Sequence, residues 1–170
     1  MSKTKTQSQK FPLRYLPGAL TKKDRTKAKN ELLKSRKAYR KGNYYTRRKI
    51  SSFHSKPSKY LGKAEKMYKV EKIDATNQLA KASGCSKEAL AKIIQKGEGA
   101  YFSSGSRPNQ TAQSWGIARL ASALTAGKAA VVDYSILENG CKPGSQGLKM
   151  AKKAIRKYGK SLRKTPKVKV

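Results

Sequence analysis

The spacing of apolar side chains divides the chain into helical stretches punctuated by glycine and proline. Between Thr21 and Gly42, Ala28, Leu32 and Tyr39 recur with Leu33 beside them, and most other positions are cationic. This is a narrow helical stripe. Thr21 and Asp24 suit its first turn, where free N–H groups need acceptors and negative charge, and Gly42 suits its end. From residue 75 the pattern predicts two short helices. The first starts near Thr76, carries Leu79 and Ala80 and stops at Gly84; the second is capped by Ser86, carries Leu90, Ile93 and Ile94 and stops at Gly97. A loop follows, in which Pro108 forces Arg107 out of the helical region. Ile117, Leu120, Ala121 and Leu124 then share one face of a helix over 111–125, closed by Gly127. The run AAVVDYSIL reads as a further helix, since its surroundings are helical, with a buried strand as the alternative. Leu148, Ala151, Ile155, Tyr158 and Leu162 predict a last one, with lysine and arginine filling its other face.

Two further segments carry other patterns. FPLRYLPGAL, residues 11–20, holds Phe11, Leu13, Tyr15, Leu16 and Leu20 but is interrupted by Pro12 and Pro17, which keep it extended. It reads as an apolar strap, laid either on its own core or on another surface. Residues 43–69 interleave Tyr44, Tyr45, Phe53, Tyr60 and Tyr68 with Arg47, Arg48, Lys49, Lys56 and Lys59. Such interleaving grips single-stranded nucleic acid by stacking plus charge, and equally it anchors an apolar-poor segment to a core. The expected fold is mainly α: a small helical domain flanked by extended or helical basic arms. Its parts are a proline-punctuated arm at 1–20, with the first ten residues disordered when unbound, a basic helix and aromatic-basic connector at 21–74, a compact helical core at 75–141, and a basic helix and tail at 142–170. MSKTKTQSQK lacks the apolar stretch of a signal peptide, and no apolar run approaches the ~20 residues of a membrane span.

Charge changes the picture most. The 170 residues include 41 Lys and Arg against 9 Asp and Glu, a formal net charge of +32, with 36% hydrophobic residues. Residues 1–60 hold 19 basic and 2 acidic side chains, residues 142–170 hold 11 and none, while residues 101–141 hold 3 and 2. Self-repulsion of this size penalises a compact state unless an anion lies nearby. Nucleic acid comes first, since a duplex presents one charge per ~1.7 Å of axis and releases counterions for each phosphate neutralised. The side chains expected to meet phosphate are Lys22, Lys23, Arg25, Lys27, Lys29, Arg36, Lys37, Arg40, Lys41, Arg47 and Arg48 before the core. After it they are Lys149, Lys152, Lys153, Arg156 and Lys157.

A sharper candidate is the loop before the 111–125 helix. Ser106, Arg107, Gln110 and Thr111, with Ser103 and Ser104, gather donors at a helix N-terminus that favours anions. Arg119, braced by Trp115 one turn away, would be a second cation for a phosphate or carboxylate. The alternative is scaffolding: Ser and Thr cap the helix, while Arg107 and Arg119 bind carbonyls or an acid such as Asp133. Enzymatic templates fail. There is no GxxxxGK[ST], HExxH or CxxC, and His54, the single histidine, has no orienting acid nearby. No catalytic residue, cofactor, metal or small-molecule substrate is expected. Cys85 and Cys141 are too few for structural zinc and read first as reduced, buried thiols, with a single disulfide as the alternative.

The string KGEGAYFSSGSRPNQTAQSWGIARLASALTAGKAAVVDYSIL, with LAKASGCS before it and GC after, resembles a family of small basic proteins of nucleocytoplasmic large DNA viruses of algae and protists, such as the chloroviruses. The lysine-rich lead-in LTKKDRTKAKNELLKSRKAYRKGNYYTRRKISSFHSKPSKY is similar too, so the likeness covers about residues 11–141. It singles out Gly105, Arg107, Pro108, Gln110, Thr111, Ser114, Trp115, Gly116 and Arg119, and supplies no catalytic residue. It implies a viral protein carried in the virion, and present in the host nucleus or cytoplasm during infection. The resulting expectation is a non-enzymatic virion component that binds viral DNA through sequence-independent phosphate contacts. The rival is a minor capsid protein whose basic arms bind capsid subunits or the anionic surface of an internal membrane. An RNA-associated protein is a third, weaker reading.

Overall fold

A computed structural model of the chain describes residues 10–159 and 167–169. The expected disordered stretch at 1–9, and Lys160, Leu162 and most of the basic tail, lie outside the described residues. The fold is mainly helical, with eight α-helices among the described residues. They are α1 (Lys22–Arg40), α2 (Lys59–Tyr68), α3 (Asn77–Ser83), α4 (Lys87–Ser103), α5 (Ala112–Leu124), α6 (Lys128–Val132), α7 (Tyr134–Gly140) and α8 (Gln146–Tyr158). Strand β1 (Lys10–Pro12) pairs antiparallel with β2 (Lys167–Lys169), bringing the two ends of the described chain together.

Local chemistry sets most boundaries. Thr21, Thr76, Ser86, Thr111 and Ser145 each accept a bond from a backbone N–H two or three residues into the helix that follows, which satisfies an otherwise orphaned donor. Gly84 ends α3 at φ +74°, a conformation open to glycine. The helix expected to stop at Gly97 runs on to Ser103, so Gly97 is a point of contact rather than a terminator. A Cβ there would lie 2.5 Å from the Gly116 Cα of α5, and one on Gly116 would lie 2.5 Å from the Ile94 carbonyl. The two glycines let α4 and α5 cross backbone to backbone at the centre of the molecule.

Two apolar clusters form. The larger joins α2 (Ala64, Tyr68), α3 (Leu79), α4 (Leu90, Ile93, Ile94), α5 (Leu120, Ala121, Leu124), α6 (Ala130), α7 (Leu137) and α8 (Leu148, Ala151, Ala154). The buried body therefore draws in α2 and α8 as well as the expected core segment. The smaller cluster is built by the strap, with Phe11, Tyr15, Leu16 and Leu20 buried against Ala28 and Leu32 of α1 and Ile50 of the connector. The strap thus lies on its own core. The α1 stripe also differs from expectation: Tyr39 is exposed, and the buried line runs Asp24, Ala28, Leu32, Ser35. Polar side chains take two of those positions because the connector supplies partners for them.

Cys85 and Cys141 are joined by a disulfide, which corrects the expectation of reduced thiols. The physical reason is a local bridge. Ser86 N donates to the Gly140 carbonyl at 2.8 Å and Lys142 N to the Gly84 carbonyl at 2.9 Å, which sets the two cysteines opposite one another.

Candidate nucleic-acid interface

The first long helix holds ten basic side chains and two carboxylates between Lys22 and Lys41. Both carboxylates serve the connector, not their cationic neighbours. Asp24 Oδ2 accepts from Ser52 N at 2.8 Å and Ser51 Oγ at 3.3 Å, and these bonds, those of Ser52 foremost, hold its pKa below the ordinary carboxylate value. Glu31 Oε2 accepts from Tyr45 Oη and from Arg48 N, both at 2.9 Å. On the solvent side, Lys22, Lys23, Lys27, Lys37, Arg40 and Lys41 are exposed, with Arg25 and Lys29 half-buried. Lys27 Nζ also donates to the Lys49 carbonyl at 3.2 Å. Helix α8 is more one-sided. It buries Gly147, Leu148, Ala151 and Ala154 and exposes Lys149, Lys152, Lys153, Arg156 and Lys157, with no acid in its sequence. Among the described residues the ion pairs are Lys72–Asp74, Lys96–Asp133 and Arg119–Asp133, none of which involves a cation of α1 or α8.

Two arginines expected at phosphate are half-buried and donate to carbonyls of the chain itself. Arg47 Nη1 donates to the Tyr101 carbonyl at 2.6 Å and to Ser35 Oγ at 2.9 Å, and Nη2 donates to Ser106 Oγ at 2.7 Å. Its guanidinium lies 3.7 Å from the centre of the Tyr101 ring, and burial lowers its pKa from the ordinary arginine value. Its planar fork thereby ties α1, the connector and the end of α4 together. Arg36 Nε donates to the Ser104 carbonyl at 2.7 Å and packs over Phe11 at 4.3 Å, and burial shifts it in the same direction. Arg48 is tied by its backbone alone and exposes its side chain.

The 103–111 loop is mostly scaffold. Ser106 is 2% exposed; it accepts from Arg47 and donates to the Arg107 carbonyl at 2.8 Å. Thr111 caps α5, accepting from Ser114 N at 3.1 Å while Ser114 Oγ accepts from Thr111 N at 2.9 Å, a reciprocal capping box. Gln110 Oε1 accepts from Ser114 Oγ at 2.8 Å. Arg119 grips Asp133 with both oxygens, Nε–Oδ2 at 2.7 Å and Nη2–Oδ1 at 2.8 Å. Asp133 is fully buried and also meets Lys96 Nζ at 3.0 Å, so Arg119 has its acidic partner within the chain. Trp115 does not brace Arg119; it packs on the strap cluster, with Tyr15 edge-on at 6.4 Å. Ser106, Gln110, Thr111 and Arg119 thus take scaffold roles, the alternative to an anion site, and Trp115 packs on the strap rather than on Arg119. The Arg107 side chain is exposed and makes no hydrogen bond or ion pair among the described residues.

Sequence reasoning missed Asn109, which joins the loop to the connector. Its Oδ1 accepts from Ile50 N at 2.7 Å and its Nδ2 donates to the Phe53 and Ile50 carbonyls at 2.8 and 3.1 Å. The signal was present: asparagine following proline tolerates the left-handed turn seen here, φ +62°. Gly105, at φ +138°, is held there too, since a Cβ would lie 2.7 Å from Leu32. Among the described residues no group of three or more His, Cys, Asp or Glu is placed to hold a metal ion. No helix there is long and apolar enough to cross a membrane.

Residues 12–139 match a family of unknown function (DUF5824), and the chain belongs to that family. No curated protein and no solved structure matches the chain.

Proposed function

We propose that this protein is a non-enzymatic virion component that binds viral DNA through sequence-independent phosphate contacts. The observation that carries the proposal is the sorting of charge across α1 and α8. The carboxylates of α1 turn inward to the connector, α8 has none, and the cations of both helices face solvent without an acidic partner among the described residues. A phosphate backbone supplies the missing anion and rewards each contact with counterion release. The viral setting rests on the motif resemblance described above. The Cys85–Cys141 disulfide supports residence in an assembled particle, because such bonds persist on virions and are reduced in cytosol. The minor-capsid reading would have the proline-punctuated strap lie on another surface, yet its large apolar side chains, Leu13 aside, are buried on the chain itself.

Salt titration of duplex binding tests the proposal. The logarithm of affinity falls linearly with the logarithm of salt concentration, by about 0.9 per phosphate neutralised. Replacing Lys152, Lys153, Arg156 and Lys157 by glutamine should lower the slope by about 3 to 4, and scrambled duplexes should bind alike. An unchanged slope, or strong preference for one sequence, would count against it.

A further inference from the structure

The aromatic residues of the connector had two readings, anchors or stacking surfaces, and the structure separates them. Tyr45 is held by Glu31, Phe53 packs on the strap cluster, and Tyr60 and Tyr68 join the main core, Tyr68 Oη donating to the Leu124 carbonyl. Each has a packing role. Tyr44 is different: it is 74% exposed. Its ring nonetheless has aromatic support, with Phe102 at 5.0 Å and Tyr39, itself 39% exposed, at 6.3 Å. Phe102 rests edge-on against Tyr101, 5.0 Å away and fully buried, and Tyr101 lies beneath the Arg47 guanidinium. An exposed ring is thus braced from below through three layers into the fold, on the turn that follows α1.

The surroundings are cationic. Arg40 and Lys41 are exposed at the end of α1. Beside Tyr39 an open groove is lined by Lys10, Arg36, Arg40 and Lys167, and among the described residues by no carboxylate. Its space of about 1180 Å³ includes open solvent, so it is a trough for a chain rather than an enclosed pocket. We infer that Tyr44 and Tyr39, backed by Phe102, form a stacking platform for an unpaired base of single-stranded nucleic acid, whose phosphates run along the Arg36–Arg40 groove. A duplex keeps its bases paired and offers no free ring face here, whereas a single strand offers both unpaired rings and phosphates. The inference rests on the proposed nucleic-acid reading and extends it from phosphate to base.

The test compares three fluorescent probes at one salt concentration with the full-length chain: a thymidine oligomer of about 15 nucleotides, an abasic oligomer of the same length, and a duplex. Wild type should prefer the thymidine oligomer to the abasic one by about tenfold. Tyr44→Ala should abolish that preference, Tyr44→Phe should keep it, and duplex affinity should not change in either. Equal wild-type affinity for the thymidine and abasic oligomers would overturn the platform while leaving duplex binding intact, and so would a Tyr44→Ala variant indistinguishable from wild type. Failure of wild type to bind any probe would overturn the polyanion reading itself, and the platform with it.

Discussion

Helices α1 and α8 show the same chemistry to solvent and are attached to the molecule by different means. Helix α8 docks through small and apolar side chains, Gly147, Leu148, Ala151 and Ala154, and a Cβ on Gly147 would collide with Cys85 Sγ. Helix α1 buries Ala28 and Leu32 but also Asp24 and Ser35. It is pinned by hydrogen bonds that Asp24 and Glu31 accept from the connector and that Ser35 and Arg36 donate to the connector and the end of α4. Packing and a covalent bridge hold one cationic face, and a polar network holds the other. Attachment by close packing fails when volume or covalency changes. Attachment by hydrogen bonds fails when a partner is removed or titrated. The two helices should therefore respond to different perturbations.

The largest effect is expected on the α8 side. The disulfide spans a sequence separation of 56, and loop-closure entropy assigns such a link about 4 kcal/mol. Reduction, or replacement of both cysteines by serine, should lower the urea midpoint accordingly. Hydrogen exchange should show α8 losing more protection than α1. An unchanged midpoint would mean that packing around Gly147 alone holds the helix.

Next in size is Arg47, the centre of the α1 network. Arg47→Ala removes three side-chain hydrogen bonds and the contact with the Tyr101 ring, leaving buried acceptors unpaired at a cost of about 3 kcal/mol. Arg47→Lys should recover less than half, because one ammonium cannot reproduce the fork that reaches Ser35, Tyr101 and Ser106 together. The salt slope of DNA binding should not move in the lysine variant. Full recovery by lysine, or a slope reduced by about one as for a lost phosphate contact, would return Arg47 to the surface role its sequence suggested.

Arg47 also marks the limit of what was legible beforehand. Helices α1, α3, α5 and α8 were readable because caps and stripes are local: Thr21, Thr76, Thr111 and Gly84 act within a few residues of themselves. Whether a cation faces solvent or the interior depends on partners far along the chain, here Tyr101 and Ser106, 54 and 59 residues away. Gly97 was misread for a related reason. A glycine that ends a helix and one that admits a second backbone look alike until Gly116 is placed against it. The 103–111 loop was found, but its donors suit both an anion and a cap, and the capping box of Thr111 and Ser114 with the Arg119–Asp133 pair uses most of them. The disulfide waited on the bridge between Gly84 and Gly140. The cationic face of α8 was legible because that helix carries no acid and its apolar positions fill the opposite side.

The smallest effect, and the finest test of the contrast, is acid. Hydrogen bonds from Ser52 and then Ser51 hold the Asp24 pKa down. A depressed carboxylate contributes stability that is fully present above its unfolded value, about 3.9, and is lost as pH falls through the lower folded value. Asp24→Asn should therefore weaken the α1–connector junction at neutral pH, with wild type and variant converging in stability below the folded value. Protonation of carboxylates elsewhere raises the net charge in both proteins alike, so their difference isolates the junction. Helix α8 contains no acid and gains nothing from this term. On acidification of wild type, hydrogen exchange should speed up first in α1 and residues 45–52, while α8 keeps its protection. If both helices loosened together, the separation between a polar attachment and a packed one would not describe this molecule.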